Sequence, residues 1–439
     1  MTVSSAFADQ PAYFDAEAAM TAGSNMALVR GGGAAWSNPA GLHTSENNQF
    51  DLTVSAFVLR VRDFSRVFRA ELPSGTYFPE AEEVTIQPIP SALVYERRLT
   101  KDVTAALAIL VTAADTMDLT GDLQRTETFS NTPEPVELSA RADISSQSQT
   151  YRIGPGVSWE ISPRVRLGLS TFLVYSSFRD SSVLRLVAKS SAGTAEALGS
   201  SRRRISGFGG QMALGAQWEL GGGVIAGTTL RTPVVGFGQT GSLSSETSVL
   251  SSAGSFPGEQ VATTLRPDVP ITAGLLSEPA QLVAGLAFKQ PTWWLGAEVE
   301  VTPPLVRPEL AIDEGPEANV RVGGRIWIAD AYSLGLGAFT DRDASRSTFR
   351  TGEAVVDYYG GATGFEWRSR YSVNDGEETR PLVFSTTVAL RYALGIGDLE
   401  SLVFSPSAAT LDEFRRVRPA SERVYFHALT VQLGSSLAF

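Results

Sequence analysis

The 439-residue chain has no cysteine, which excludes disulfide staples, thiol catalysis and zinc–thiolate sites. Two histidines leave little material for a histidine-rich metal site or for a histidine-assisted nucleophile. Basic residues are also in deficit: 36 Lys and Arg stand against 47 Asp and Glu, a net charge of -11. Phosphate binding needs a basic face, so a nucleic-acid partner is excluded. Long apolar runs are missing as well. The longest, around Ala105 to Val111, is far too short for a membrane helix. That last absence is silent about transmembrane barrels, in which only alternate residues face lipid.

What the chain does have is glycine, 41 of them, aromatics at 9%, and a period of two. In "RVRLGLSTFLVY", Val165, Leu167, Leu169, Leu173 and Tyr175 fall on one face, while Arg164, Arg166, Gly168 and Ser170 fall on the other. "WWLGAEVEV" sets Trp293, Leu295, Ala297, Val299 and Val301 against Gly296, Glu298 and Glu300. Such segments are strands with one apolar face and one polar, small-residue face. About fourteen are predicted: 50–70, 84–98, 102–113, 148–160, 164–177, 205–219, 223–232, 281–289, 292–302, 319–328, 331–340, 354–367, 382–394 and 422–439.

Their connections alternate in length. Leu99–Lys101, Ile161–Pro163, Leu220–Gly222, Gln290–Pro291 and Ala329–Asp330 read as tight turns. Between them lie long polar stretches, read as loops: Asp115–Gln147, Phe178–Arg204, Pro233–Ala280, Pro303–Ala318 and Gly395–Ser421. A sandwich has no reason to sort its connections this way, whereas a two-ended transmembrane barrel does. Arg368–Pro381 breaks the rule: either strand twelve runs longer or the count slips there. Trp159, Trp218, Trp293 and Trp327 fall beside tight turns, where indoles suit a headgroup rim, although Trp327 has the polar parity. An open sheet edge is not tolerated in hydrocarbon, so the sheet must close. The fold class is therefore an all-β transmembrane antiparallel barrel of about fourteen strands, residues 49–439, preceded by an N-terminal segment, residues 1–48. Ala6-Phe7-Ala8 has the form of a signal-peptidase site, so a trimmed leader is one expectation and an ordinary N-terminus the other.

The N-terminal segment holds "RGGGAAWSNPAGLH", small and turn-prone. A barrel this wide leaks unless filled, and the glycine triplet with Asn38-Pro39 permits tight folding inside a lumen as a plug. "GGGAAWSNPAGL", with "GGGVIAGTTLRTPV" and "PAQLVAGLAFKQPTWWLGAEVEVT" following in order, resembles the FadL-like (OMPP1/TodX) outer-membrane transporters of long-chain fatty acids and aromatic hydrocarbons. The final strand, ending in Phe439, resembles the insertion signal by which outer-membrane barrels meet their assembly machinery.

The resemblance implies passive uptake in a Gram-negative outer membrane. A hydrophobic ligand enters from outside, binds an apolar pocket and leaves sideways into the membrane lipids. It assigns gating to Asn38, Pro39 and Ala40, with Trp36 and Gly41 beside them. The partnering strand kink falls at Pro88/Pro90 or at Gly154-Pro155-Gly156, where ordinary bulges are the competing reading. Arg166, Arg321, Arg325 and Arg391 face the lumen, either to hold a substrate carboxylate or to pair with Glu298 and Glu300. No cofactor, metal or catalytic centre is expected. A FadL-like barrel serving a secretion or surface-assembly machine, with accessory protein partners, is the competing function. An open porin is a third.

Overall fold

The computed structural model describes residues 14–44, 49–63, 68–78, 82–130, 134–191, 193–251, 263–270, 278–307, 312–344, 354–375, 378–406 and 417–439. The Ala6–Ala8 motif lies outside them. Fourteen staves form one closed antiparallel barrel. They are β1 (Gln49–Asp63), β2 (Glu82–Arg98), β3 (Val103–Glu127), β4 (Val136–Ser162), β5 (Val165–Ser190), β6 (Gly193–Gly221), β7 (Val224–Arg231, resuming as Val235–Ser251), β8 (Thr263–Pro270, resuming as Gln281–Lys289), β9 (Trp293–Thr302), β10 (Glu317–Ala329), β11 (Tyr332–Asp341), β12 (Ala354–Asp375), β13 (Glu378–Phe404) and β14 (Val417–Ala438). β14 returns to β1, with Gln49 opposite Ala438, and closes the cylinder. Short strands at Phe68–Leu72 and Gly75–Tyr77 add to the sheet, and Leu305–Arg307 pairs with Ile312–Glu314. No helix among the described residues is long and apolar enough to cross a membrane, which says nothing of a barrel.

Alternation decides which way each residue points. In β9, Trp293, Leu295, Ala297, Val299 and Val301 are exposed on the outer face, and Trp294, Gly296 and Glu298 are buried within. Two aromatic rims bracket this outer apolar band. Trp159, Trp293, Tyr332 and Trp367 mark the end with tight turns, and Tyr151, Tyr175, Phe208, Tyr359, Tyr392 and Tyr425 the other. Trp327 packs inside instead, under Arg325 at 4.7 Å, as its parity requires. From Tyr359 to Trp367 is about 26 Å of strand, or about 20 Å along the axis at a tilt of about 40°. That spacing suits a bilayer's hydrocarbon. Leu336 lies midway and outward. We expect Leu336→Arg to cost about 2–4 kcal/mol of folding stability in lipid vesicles, measured by urea titration.

Four expected loops are corrected: within Pro233–Ala280, Val235–Ser251 is strand paired with β6, and within Gly395–Ser421, Gly395–Phe404 stays paired with β14 down to Val417. Asp115–Gln147 and Phe178–Arg204 are not loops: β3 stays paired with β4 up to Glu127 opposite Val136, and β5 with β6 up to Ser190 opposite Gly193. Beyond the outer rim the apolar residues change faces. Met117, Leu119, Leu123, Leu138, Ala142 and Ile144 are buried inside, while Asp118, Thr120 and Asp122 face water. An apolar stripe sought on the outer parity vanishes there although the strand continues. The odd joint is also resolved: β12 runs on to Asp375, opposite Glu378, so its turn is short like its neighbours'.

Candidate functional site

Residues 14–44 lie inside the barrel at the tight-turn end. They form α1 (Ala16–Met20), a short 3-10 turn, α2 (Ala34–Ser37) and a second 3-10 turn, Pro39–Thr44. The wall makes room with inward glycines. A Cβ on Gly227 would lie 2.7 Å from Ala27, on Gly296 2.7 Å from the Ser24 carbonyl, and on Gly335 2.6 Å from Met20. Gly168 and Gly215 would drive theirs into Asn38 and Pro39. The triplet has the same explanation, since Gly32 passes where a Cβ would sit 2.8 Å from Val94 and 2.9 Å from Asp51.

Polar contacts tether the segment. Asp15 accepts from the Ala18 N–H at 2.6 Å as the cap of α1, and burial pushes its carboxyl up to about 7. Glu17 accepts from the Trp294 indole at 2.8 Å and pairs with Arg325 at 3.5 Å. Backbone N–H groups of Met26 and Gly32 donate to Glu298 (3.1 Å) and Asp51 (2.6 Å). Asn38 is fully buried. Its amide donates to the Ala216 carbonyl on β6 at 3.0 Å and to the Met26 carbonyl at 3.3 Å, while its oxygen accepts from Ala40 N–H at 3.2 Å. The Asn-Pro-Ala motif is thus bonded to the barrel wall, with Gly41 packed against Val29.

The four arginines named from the sequence do not converge. Arg166 pairs with Glu219 at 3.0 Å near the tight-turn rim. Arg321 bridges Glu298 (2.8 Å) and Glu300 (2.9 Å). Arg325 holds Glu366, Glu17 and Ser333. Arg391 lies over the Phe339 ring at 4.1 Å. Removing one partner of a buried pair leaves a charge uncompensated. Arg321→Met, which strands two carboxylates, is therefore expected to cost about 3–5 kcal/mol in the same titration.

Two other arginines matter more, and the sequence reading passed over them. Trp36 at the top of α2 lies between Arg152 of β4 (4.6 Å) and Arg231 of β7 (4.4 Å), with Phe14 and Phe172 edge-on at 6.1 and 5.8 Å. Arg152 donates to Gln211 at 2.9 Å and contacts Glu278; Arg231 donates to Gln281 at 2.9 Å. Around Trp36 the walls are apolar, with Val94, Leu110, Phe172, Val174 and Val234 all buried. The only available signal was inward parity, since nothing in the spacing of residues 152 and 231 brings them together. An apolar pocket of about 40 Å³ opens above the outer rim between Phe68, Leu123, Ala140, Leu186 and Phe404.

Beside the Trp36 cluster the ladder of the wall lapses. Among the described residues, β2 pairs with β3 only over Ala92–Arg98 against Thr104–Leu110. Beyond that rung β2 stays with β1 and β3 with β4. Pro88 and Pro90 lie just past the last rung and remove two backbone donors, and β1 and β3 carry bulges at Ser55/Val58 and Val111/Ala113. At the far end side chains replace the ladder. Glu83 accepts from the Asp118 N–H at 2.9 Å, and Arg62 reaches both Glu83 (2.9 Å) and the Thr116 carbonyl (3.2 Å). Gly154-Pro155 marks a smaller lapse: β4 is continuous, but two rungs to β5 are missing between Ile153/Leu173 and Gly156/Ser170.

By sequence the chain matches no family model and no curated protein. By structure it is similar to a Pseudomonas aeruginosa FadL homologue at 13% identity and a TM-score of 0.60, covering 97% of this chain and 98% of that one. It is also similar to the CymD monoaromatic hydrocarbon channel, at 12% identity and TM-score 0.56 over 97% of each chain. The Ralstonia pickettii toluene transporter TbuX follows at 12% and 0.53, over 97% of this chain and 98% of that one. The protein therefore has the FadL-like barrel fold, shared along nearly its whole length with channels and transporters.

Proposed function

We propose that the protein spans a Gram-negative outer membrane and carries hydrophobic small molecules passively through the barrel. The buried apolar cluster around Trp36, beside a stretch of wall where the β2–β3 ladder lapses, is the observation that carries this reading. A pocket lined by aromatic and aliphatic side chains with a few fixed polar groups suits a largely apolar ligand. Ligand is captured at the pocket near Phe404, displaces the packing around Trp36, and leaves through the β2–β3 seam into lipid. Residues 14–44 are the plug that keeps water and polar solutes out. Trp36, Asn38, Pro39, Ala40 and Gly41 are its gating element, and Arg152 and Arg231 are placed to hold a ligand's polar end. The named neighbours include a monoaromatic hydrocarbon channel and a toluene transporter, so an aromatic hydrocarbon and a fatty acid are the two ligands to try. Phe439, ending the closing strand, is assigned the insertion signal. Liposomes holding the protein should take up oleate or toluene at least several times faster than empty ones. Equal rates with both would end the proposal.

A further inference from the structure

We propose that the outer face of the barrel carries a binding site for one phospholipid, set directly behind the gating motif. The inference rests on the membrane-spanning reading but not on transport. A concavity of about 620 Å³ runs across the outer surface from Val103 of β3 to Leu282 of β8. Trp159, Leu167, Leu214 and Leu230 wall it. Its floor is Gly168, Gly215 and Ala216. Ala216 has the outward parity yet is only 7% exposed, while Leu214 beside it is 45% exposed. It is recessed between taller neighbours.

The occupant follows from position and charge. The groove lies within the apolar band, so neither water nor a soluble protein fills it. It crosses six staves, or five spacings of about 4.8 Å, roughly 24 Å in all. The hydrocarbon of one leaflet is about 15 Å deep, and a groove running across strands tilted by about 40° descends through about that depth, so it accommodates a whole acyl chain lying across the sloping strands. At its Val103 end, where Val103 faces Trp159, the chain turns through Thr100–Asp102. The neighbouring tight turn is Pro163–Arg164. Lys101 and Arg164 are both exposed there, and neither makes an ion pair among the described residues. The nearby carboxylates Glu160 and Glu219 are engaged by Arg166. Asp102 is the remaining acid on these turns. Two free cations beside a rim tryptophan suit a phosphate headgroup. The ligand is therefore a phospholipid of the tight-turn leaflet, preferably an anionic one.

The site has a consequence for the plug. The Ala216 carbonyl accepts from Asn38, and Pro39 presses on Gly168 and Gly215 from inside. A wall one backbone thick separates the acyl chain from the gating motif, and the chain supplies that wall's outer packing.

Native mass spectrometry tests this on full-length protein exchanged into mild detergent with equal phosphatidylglycerol and phosphatidylethanolamine. Wild type should keep one phospholipid, mostly phosphatidylglycerol. Ala216→Leu fills the groove and should cut occupancy about tenfold. Lys101→Gln with Arg164→Gln leaves the wall intact and should abolish the preference for phosphatidylglycerol. Heat-modifiable migration shows that each variant is a folded barrel, and its absence in wild type would indict the barrel reading instead. If Ala216→Leu does not fold, the headgroup variant decides. Retention of detergent or free fatty acid alone would overturn the proposal, as would lipid binding indifferent to both changes.

Discussion

Replacing Gly215 with valine should undock the gating motif while leaving the barrel closed. A Cβ at this position would lie 2.7 Å from Pro39 Cδ and 2.9 Å from Pro39 N, and closer still to the Asn38 side chain. Pro39 is backbone-rigid, so the neighbour cannot swing aside as a long side chain would. Asn38 then loses its bond to the Ala216 carbonyl, and the overpacking adds to that loss. Together these are expected to cost about 2–4 kcal/mol of docking energy. Local opening free energies appear directly in amide exchange. Protection across residues 38–44 should therefore fall about 30-fold or more, with the strands unchanged. Gly199→Ala is the control: its Cβ meets nothing within 4 Å and should alter no exchange rate. Unchanged protection in Gly215→Val would show that the motif is not held by this wall.

Locking the seam should stop transport reversibly. The register that ends at Ala92 opposite Leu110 places Pro90 across from Thr112 if the two staves are drawn together. The chain has no cysteine of its own, so Pro90→Cys with Thr112→Cys introduces the sole pair. A disulfide there requires Cα atoms about 4.4–6.8 Å apart and so pulls the edges to ladder distance. The oxidised double variant should lose at least about nine-tenths of wild-type uptake and regain it on reduction, with each single variant unaffected. Uptake at the wild-type rate in the oxidised form would place the exit elsewhere, the Gly154–Pro155 lapse being the next site to lock.

Much of this architecture was legible in the residues. A period of two, tryptophans beside tight turns and an even stave count needed no tertiary information, because the bilayer imposes them one strand at a time. Small residues on the polar face were visible too: Gly168, Gly215 and Gly296 turn out to carry the plug's imprint on the wall, which Gly227 and Gly335 share. Three things were not legible, each for a physical reason. The ribbons beyond the rim looked like loops because the apolar face passes from lipid side to lumen side, as Leu138 and Ile144 show. The Trp36 clamp depends on Arg152 and Arg231, two intervening staves apart, meeting on a plug residue, which only the curvature of the sheet around the plug achieves. The seam is defined by missing rungs between β2 and β3. Pro88 and Pro90 hint at it, but the β1 ladder tolerates the same prolines. The lumen arginines could be named from parity, but the acids that occupy them could not all be foreseen. Glu17 comes from the plug, and Glu366 from β12, one stave beyond the neighbouring β11.

A photoactivatable fatty acid or aromatic probe, bound to the folded protein and mapped by mass spectrometry, tests the central claim most directly. The account predicts adducts on inward residues around Trp36, Leu110 and Phe172, continuing to the strands that flank the seam. Adducts confined to outward residues such as Leu336 and Leu433, with the residues around Trp36 unlabelled, would contradict it.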